Sequence, residues 1–211
     1  MESADLVEYY RRRAGEYEAI YAKPERQSDL LLLKKKIAEL LRRTRVLEVA
    51  CGTGYWTKVI ASAAESVTAT DVAEEPMTIA QAKDYPRRNV RFASSDAFNL
   101  EDNLGRFDAA FAGFWWSHIP RQRIADFLHS LHARLEPGAR VLFLDNRYVD
   151  GNSTPVSEVD THGNTYQLRT LADGSSFRVM KNFPSKEELK ALLPQVHYRA
   201  LKYYWLAEYR L

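Results

Sequence analysis

The sequence predicts an α/β fold in which a doubly wound, mostly parallel sheet carries helices on both faces. Between residues 45 and 145, short apolar segments typical of buried strands alternate with segments of helical periodicity. Strands separated by helices of this length pair in parallel through right-handed crossovers. Ligands bind such sheets at the carboxyl ends of the strands, so a functional site is expected among the residues that follow each strand.

The elements of this core are read in order from periodicity and turn residues. Strands are predicted at 45–50, 66–71, 90–94, 107–112 and 139–145, and helices at 55–63, 76–84 and 121–135. Pro76 suits the first turn of its helix. Pro137 and Gly138 are predicted to form the turn before the fifth strand.

The flanking segments differ from the core. Residues 1–44 predict two helices broken at Pro24, the second with an apolar stripe of Leu30, Leu33, Ile37, Leu40 and Leu41. Residues 165–171 and 176–181 predict a hairpin with its turn at 172–174, and Ser185 opens a capping box before a short helix. The aromatic tail from Val196 predicts closing strands. We expect a single domain over 1–211, made of N-terminal helices (1–44), a ligand-binding core (45–145) and a hairpin with closing strands (146–211).

Composition excludes several classes of protein. The 211 residues carry a net charge of +2, which gives no electrostatic reason to expect a nucleic-acid partner. One cysteine, Cys51, excludes an internal disulfide. No apolar run reaches the roughly 20 residues that cross a bilayer, and residues 1–5 lack the pattern of a secretory signal. We therefore expect a cytoplasmic protein without a membrane partner.

The most informative segment is a buried strand that ends in a glycine loop and opens a helix. Gly52 and Gly54 permit positive φ and a close approach of the backbone to a ligand. Thr57 stands where a dinucleotide fingerprint has its third glycine, which disfavours a nicotinamide dehydrogenase. Glu48 lies at the strand end, and Asp71 ends the next strand, where a carboxylate can accept both ribose hydroxyls.

The spacing from Glu48 through Cys51, Gly52 and Gly54 to Asp71 resembles the first two motifs of class I S-adenosylmethionine (SAM)-dependent methyltransferases. The resemblance continues at 90–98, 107–114 and 135–140 and spans about 45–145. Ala50 departs from the pattern, because many members have glycine there. The resemblance implies a Rossmann-like, seven-stranded sheet with an N-terminal helical lid and a C-terminal hairpin insertion.

The resemblance also implies a set of SAM-binding residues. Asp96 and Ala97 correspond to the pair that contacts adenine, and Tyr17 to a lid tyrosine near the methionine end, with Tyr9, Tyr10 and Tyr21 as alternatives. Cys51 is interpreted as a packed side chain rather than a nucleophile. No metal is expected. The expected cofactor-binding residues are Tyr17, Glu48, Cys51, Gly52, Gly54, Trp56, Asp71, Val72, Met77, Asp96, Ala97, Phe98 and Gly113.

The methyl acceptor is expected at the ends of the fourth and fifth strands. Two adjacent tryptophans cannot both face inward, so one is expected to line the pocket. His118 is the candidate catalytic residue, and a histidine that only packs or caps is the alternative. The expected acceptor-binding residues are Trp115, Trp116, His118, Asn146, Arg147 and Tyr148. They favour a small, partly planar molecule. The methylated atom, the need for a base and the oligomeric state stay open.

The predicted function is transfer of a methyl group from SAM to a small molecule by in-line displacement. A non-catalytic SAM-binding or regulatory module is one alternative, because a fold does not guarantee an activity. A methyltransferase acting on RNA or protein is the other. The sequence has no Asn-Pro-Pro-Tyr-like motif, no Pro-Cys nucleophile pair and no strongly basic face, which disfavours nucleic acid as acceptor.

Overall fold

A seven-stranded sheet forms the centre of the computed structural model, which describes residues 2–211 and the side chains from residue 6 onward. Its strand order is β3-β2-β1-β4-β5-β10-β9, and a three-stranded sheet, β6-β7-β8, stands beside it. The strands are β1 (Arg45–Val49), β2 (Ser66–Asp71), β3 (Val90–Ser94), β4 (Phe107–Gly113), β5 (Leu135–Asn146), β6 (Glu158–Val159), β7 (Thr165–Thr170), β8 (Ser176–Met180), β9 (His197–Ala200) and β10 (Tyr204–Arg210).

The strand order places a crevice beside β1. β1 pairs in parallel with both β2 and β4, with Leu47 opposite Thr68 on one side and Ala110 on the other. The chain runs outward from β1 through β2 to β3 and then returns to β4 on the opposite side of β1. The carboxyl ends of β1, β2 and β4 therefore meet at the switch in strand order, where open α/β sheets bind ligands.

Helices cover the sheet and reach over its carboxyl edge. They are α1 (Glu2–Arg13), α2 (Gln27–Leu40), α3 (Tyr55–Ala61), α4 (Glu74–Gln81), α5 (Ile124–His132) and α6 (Lys186–Leu192). α2 buries its stripe at Leu30, Leu33 and Ile37. α6 begins with the predicted capping box: Ser185 Oγ accepts the Glu188 N–H at 3.1 Å, and Glu188 Oε2 accepts the Ser185 N–H at 2.6 Å. Within the described residues, no helix is long and apolar enough to cross a membrane.

Apolar side chains form one core cluster on each side of the sheet. Adjacent residues of β1 alternate between them: Val46 packs in the cluster under α2 and α3, and Leu47 in the cluster under α5. A parallel strand that is covered on both faces needs apolar residues at successive positions, and β1 has them from Val46 to Val49 apart from Glu48. Each buried side chain of this kind contributes about 1.5–3 kcal/mol.

The predicted fold class, the seven-stranded sheet and the hairpin of β7 and β8 are confirmed. β9 and β10 join the same sheet as the strands of 45–145. Two local predictions are wrong. Pro137 and Gly138 lie inside β5, where a shift in register against β4 accommodates them. The first N-terminal helix gives way to a 3-10 helix at Ala14–Ala22 well before Pro24.

The 3-10 geometry of Ala14–Ala22 determines which of its side chains face the sheet. Three residues per turn align Ala14, Tyr17 and Ile20 along one side. Ala14 and Tyr17 line the cavity described below, and Ile20 packs against the core. The segment therefore presents one inward row to the carboxyl edge of the sheet.

Candidate active site

A cavity lies at the carboxyl ends of β1, β2 and β4. α1 and the 3-10 helix Ala14–Ala22, together called the lid below, cover this cavity. The lining residues are Leu6, Val7, Tyr10, Ala14, Tyr17, Ala50, Gly52, Thr53, Asp71, Val72, Ala73, Pro76, Gly113, Phe114, Trp115 and His118.

The loop after β1 forms the floor of this cavity. Ala50, Gly52 and Gly54 all adopt positive φ, at 55°, 54° and 79°. A Cβ on Gly52 would meet no atom within 4 Å, whereas one on Gly54 would lie 2.8 Å from Ala80 Cβ and 2.7 Å from the Tyr85 hydroxyl. Gly52 therefore leaves open space at the cavity, and Gly54 instead permits close packing against α4.

Asp71 holds the floor to the end of β2. Its Oδ2 accepts the Gly52 N–H at 2.8 Å, and its Oδ1 accepts the Ala73 N–H at 2.9 Å. Burial raises the pKa of Asp71, and these backbone donors oppose that rise. Each carboxylate oxygen has a second lone pair, so Asp71 can also accept hydroxyl donors from the cavity. Sequence reasoning gave Asp71 a ligand role and missed this structural one.

Glu48 and Cys51 are buried beside the floor. Burial raises the pKa of Glu48 to about 8, so its side chain is mainly neutral at pH 7. Within the described residues, Glu48 Oε2 has no hydrogen-bond partner, and neither does the buried Oγ of Ser95 after β3. Burial also raises the pKa of the Cys51 thiol well above its ordinary value, which fits the packed side chain expected from the sequence.

Several expected cofactor residues lie away from the cavity lining, and two of them, Trp56 and Met77, are buried. Gly113 does line the cavity, and it has no room for a Cβ against the Phe111 ring. Asp96 is exposed, and its Oδ1 accepts the Phe98 N–H at 2.9 Å in a turn. Ala97 is buried beside it, and the Phe98 ring packs against Trp115 with centroids 6.0 Å apart.

His118 and Tyr10 form a hydrogen-bonded pair at the opposite end of the cavity. His118 Nδ1 lies 2.7 Å from the Met180 carbonyl oxygen, which can only accept, so Nδ1 carries the proton. His118 Nε2 lies 2.7 Å from the Tyr10 hydroxyl and accepts a hydrogen bond from it. Burial, reinforced by the charge of Lys181, holds the pKa of His118 well below its ordinary value. The imidazole is therefore neutral, with its lone pair aimed at the lid.

Tyr10 and Tyr17 lie side by side on the lid. Their rings meet edge-on with centroids 5.6 Å apart, and burial raises the pKa of Tyr17 to about 12. Both hydroxyls are therefore protonated near neutral pH. Sequence reasoning ranked Tyr10 only as an alternative to Tyr17, because a helical segment rich in tyrosine does not reveal which one meets a histidine 108 residues away.

The two adjacent tryptophans separate. Trp115 lines the cavity, whereas Trp116 is 2% exposed and packs on Phe143 with ring centroids 4.9 Å apart. The sequence-based placement of Trp116 at an acceptor site is therefore corrected. Phe114, at φ 61°, turns the chain after β4 and sends the two indoles in different directions.

Asn146, Arg147 and Tyr148 are not brought to the cavity and line a separate surface cleft. β5 extends to Asn146, and the Arg147 N–H then donates to the Tyr203 carbonyl at 2.9 Å, which leads the chain toward β10. Arg147 also donates to the Leu201 carbonyl, and Tyr148 packs on Phe183. The expectation that this segment flanks the same crevice is therefore corrected.

Asp145 is the residue of β5 that faces the interior behind His118, and sequence reasoning missed its partner. Its Oδ1 accepts from Lys181 Nζ at 2.9 Å, and its Oδ2 accepts the Ser117 N–H at 2.9 Å. Both charged side chains are almost completely buried. Asp145 was visible as a carboxylate at a strand end, but no local pattern marked Lys181 as its counterion.

Comparisons with known proteins identify the family of this chain. The family described as a methyltransferase domain matches residues 46–138. DhpI, solved in complex with SAM and HEP, is 30% identical, with a TM-score of 0.80 over 98% of this chain and 96% of that one. Demethylmenaquinone methyltransferase from Staphylococcus aureus is 27% identical over 168 residues, 72% of this chain. The match spans 66% of that relative's length, just under two thirds.

A fourth comparison concerns the fold alone. The 1,6-didemethyltoxoflavin-N1-methyltransferase of Burkholderia thailandensis is 18% identical, with a TM-score of 0.63 over 99% of this chain. Together with the site, these findings confirm the family predicted from the sequence. The chain belongs to the class I SAM-dependent methyltransferases, and SAM is its cofactor.

The residues at the cavity floor fit this cofactor. Gly52 leaves open space beside the loop, Asp71 offers two oxygens that accept hydroxyl protons, and Val72 presents a side chain 58% exposed next to it. Ser95 adds a buried hydroxyl without a partner among the described residues. SAM supplies an electrophilic methyl group, and Asp71 with the Gly52 loop would hold its nucleoside end.

Proposed function

We propose that the protein transfers the methyl group of SAM to a small-molecule acceptor bound under α1, beside Trp115 and the Tyr10–His118 pair. The observation that carries this proposal is one continuous cavity, which joins the Gly52–Asp71 floor to Tyr10 and His118. Because the same space reaches both groups, a cofactor and a second ligand have adjacent places in it.

The relatives support a small acceptor. DhpI has been solved with SAM and HEP together, and the Staphylococcus aureus relative is named for demethylmenaquinone. α1 and the 3-10 helix Ala14–Ala22 close the cavity from above, which leaves less room for a polymer than for a small molecule. The proposal keeps the expectations that the protein acts in the cytoplasm and that nucleic acid is not its acceptor.

The residues of the pair have defined roles in this proposal. His118 keeps a lone pair on Nε2 because the Met180 carbonyl fixes the proton on Nδ1. Tyr10 covers that lone pair, so an acceptor hydroxyl or amine reaches it when the Tyr10 hydroxyl moves aside or relays the proton. The lid and Trp115 exclude water from the methyl group, and the floor orients the donor.

The test is a methyl-transfer screen. The protein is incubated with SAM labelled on its methyl group and with fractionated metabolites, and labelled small products are identified by mass spectrometry. A labelled small molecule supports the proposal. Label in RNA or protein, or SAM binding without any transfer, contradicts it and favours one of the alternatives from the sequence.

Variants then test the role of His118. His118→Ala should lower kcat on the identified acceptor by about 100-fold, in the range of general-base catalysis, while its affinity for S-adenosylhomocysteine (SAH) is retained. His129→Ala, at an exposed position of α5, is the matched control. An unchanged kcat with a lowered melting temperature would make His118 a packing residue.

A further inference from the structure

Three cationic side chains do not line the cavity themselves but lie close to residues at its Tyr10–His118 end, where α1 packs against β8. Lys181 follows β8 and is buried, Arg169 lies on β7, and Arg13 ends α1. The cross-strand pairs Gln167 with Val179 and Arg169 with Phe177 put one face of the hairpin against the lid, where the Phe177 ring lies 5.6 Å from that of Tyr9.

Carboxylates do not balance these cations. Lys181 pairs with Asp145 at 2.9 Å. Arg169 Nη2 donates to the neutral amide oxygen of Gln167 at 2.6 Å, and Arg13 Nη1 donates to the Tyr9 hydroxyl at 2.6 Å. Among the described residues, neither arginine forms an ion pair with a carboxylate, so the group holds three positive charges against one negative charge.

The surplus charge acts on the cavity. Arg13 lies over the Tyr17 ring at 5.6 Å, and the Tyr17 and Tyr10 rings are 5.6 Å apart. Tyr10 in turn contacts His118. The residue before His118, Ser117, accepts a hydrogen bond from Lys181 Nζ at its Oγ, at 2.5 Å. Burial raises the pKa of Tyr10 well above its ordinary value, and the nearby positive charge of Arg169 opposes that rise. The cations therefore stand directly behind the lining formed by Tyr10, Tyr17 and His118.

A partly buried guanidinium without a carboxylate is costly unless a ligand supplies the missing negative charge. Arg13 and Arg169 also carry planar donors that suit a carboxylate or a phosphate. We propose that the acceptor carries an oxyanion, a carboxylate or a phosphate-type group, which binds at the Tyr10–His118 end of the cavity toward Arg169. This inference rests on the proposed function and names the chemical class of its acceptor.

The arrangement also explains the place of Tyr10. Tyr10 lines the cavity, and its hydroxyl, which donates to His118 Nε2 here, could donate to the oxyanion instead when the acceptor binds. An acceptor held by its charged group toward Arg169 would keep its hydroxyl or amine beside His118 Nε2 and extend toward Trp115. Arg169 is then a residue that determines specificity.

The test uses the protein saturated with SAH and follows binding of simple probes by NMR. The probes are inorganic phosphate, acetate and, as the neutral counterpart of acetate, acetamide. Saturable binding of phosphate or acetate, with acetamide at least tenfold weaker, is expected; phosphate alone would indicate a phosphate-type group, and acetate alone a carboxylate. Acetamide bound as well as acetate, or neither anion bound at tens of millimolar, overturns the inference.

Variants separate this role from a structural one. Arg169→Gln should lower the affinity for the anion at least tenfold, or by about 1.4 kcal/mol. Arg169→Lys should restore part of that affinity because it restores the charge. Arg87→Gln removes the same charge from an exposed site and should leave the affinity for the anion unchanged. Equal anion affinity in Arg169→Gln and Arg87→Gln overturns the inference. Failure of the wild-type protein to bind SAH would instead overturn the proposed function.

Discussion

Glu48→Gln should remove a large part of the pH dependence of stability. Glu48 is buried in β1 and its pKa is raised by burial from 4.5 to about 8, so the folded state keeps a proton that the unfolded state loses. The contribution of this proton to the free energy of unfolding is fully present below pH 4.5, and it is lost as the pH rises to about 8. The neutral amide of glutamine has no such dependence.

The size of the effect follows from the shift. At about 1.4 kcal/mol per unit of pKa, the difference between 4.5 and about 8 corresponds to at most about 5 kcal/mol of unfolding free energy. Between pH 5 and pH 8, the wild-type protein should therefore lose several kcal/mol more than Glu48→Gln does. If glutamine at position 48 changes the unfolding free energy by the same amount at every pH, the variant's plot of this free energy against pH is displaced as a whole. The difference in slope between the two proteins is then unchanged.

Urea unfolding at several values between pH 5 and pH 8 measures these free energies. Glu101→Gln, at an exposed position, is the matched control and should keep the wild-type slope. Parallel profiles for wild type and Glu48→Gln would refute the reasoning, because they would mean that Glu48 ionises in the folded protein as it does in the unfolded chain.

Three other predictions follow from the site. Gly54→Ala should destabilise the fold by about 2–4 kcal/mol in thermal or urea unfolding, because its Cβ would lie 2.8 Å from Ala80 Cβ at a positive φ; a stable variant would contradict the packing role. Asp71→Ala should weaken SAH binding in calorimetry by about 2–3 kcal/mol, since hydroxyl donors lose their acceptor; unchanged affinity would exclude Asp71 from the cofactor site. Hydrogen exchange at residues 6–22 should slow when SAH binds, because exposed ion pairs from α1 hold the lid weakly; equal exchange would argue against a mobile lid.

Local patterns predicted the fold and the floor of the site. The apolar run of β1, its glycine loop and Asp71 are close in sequence, and parallel pairing of β1 with β2 brings them together in space. The same patterns did not separate the two glycines by role. Only the position of α4 shows that Gly54 is needed for packing while Gly52 faces open space.

The acceptor end depends on contacts between distant segments, and sequence reasoning recovered less of it. Tyr10 meets His118 across 108 residues, and Lys181 meets Asp145 across 36. Neither spacing leaves a periodic signal. The placement of Asn146, Arg147 and Tyr148 failed for a related reason: β5 runs on to Asn146, and pairing with β10 carries the next residues away from the cavity.

Calorimetric titration with SAH of the wild-type protein and of Gly52→Val tests the central claim most directly, which is that the cofactor lies on the Gly52 loop. A Cβ at Gly52 meets no protein atom within 4 Å, so valine there adds bulk to the cavity and not to the core, and the strain of a side chain at φ 54° stays in the loop. The account predicts one SAH site in the wild-type protein and at least about a 100-fold loss of affinity in Gly52→Val, with circular dichroism showing a folded variant; 100-fold equals about 2.8 kcal/mol. Equal affinity of the two proteins for SAH would contradict it.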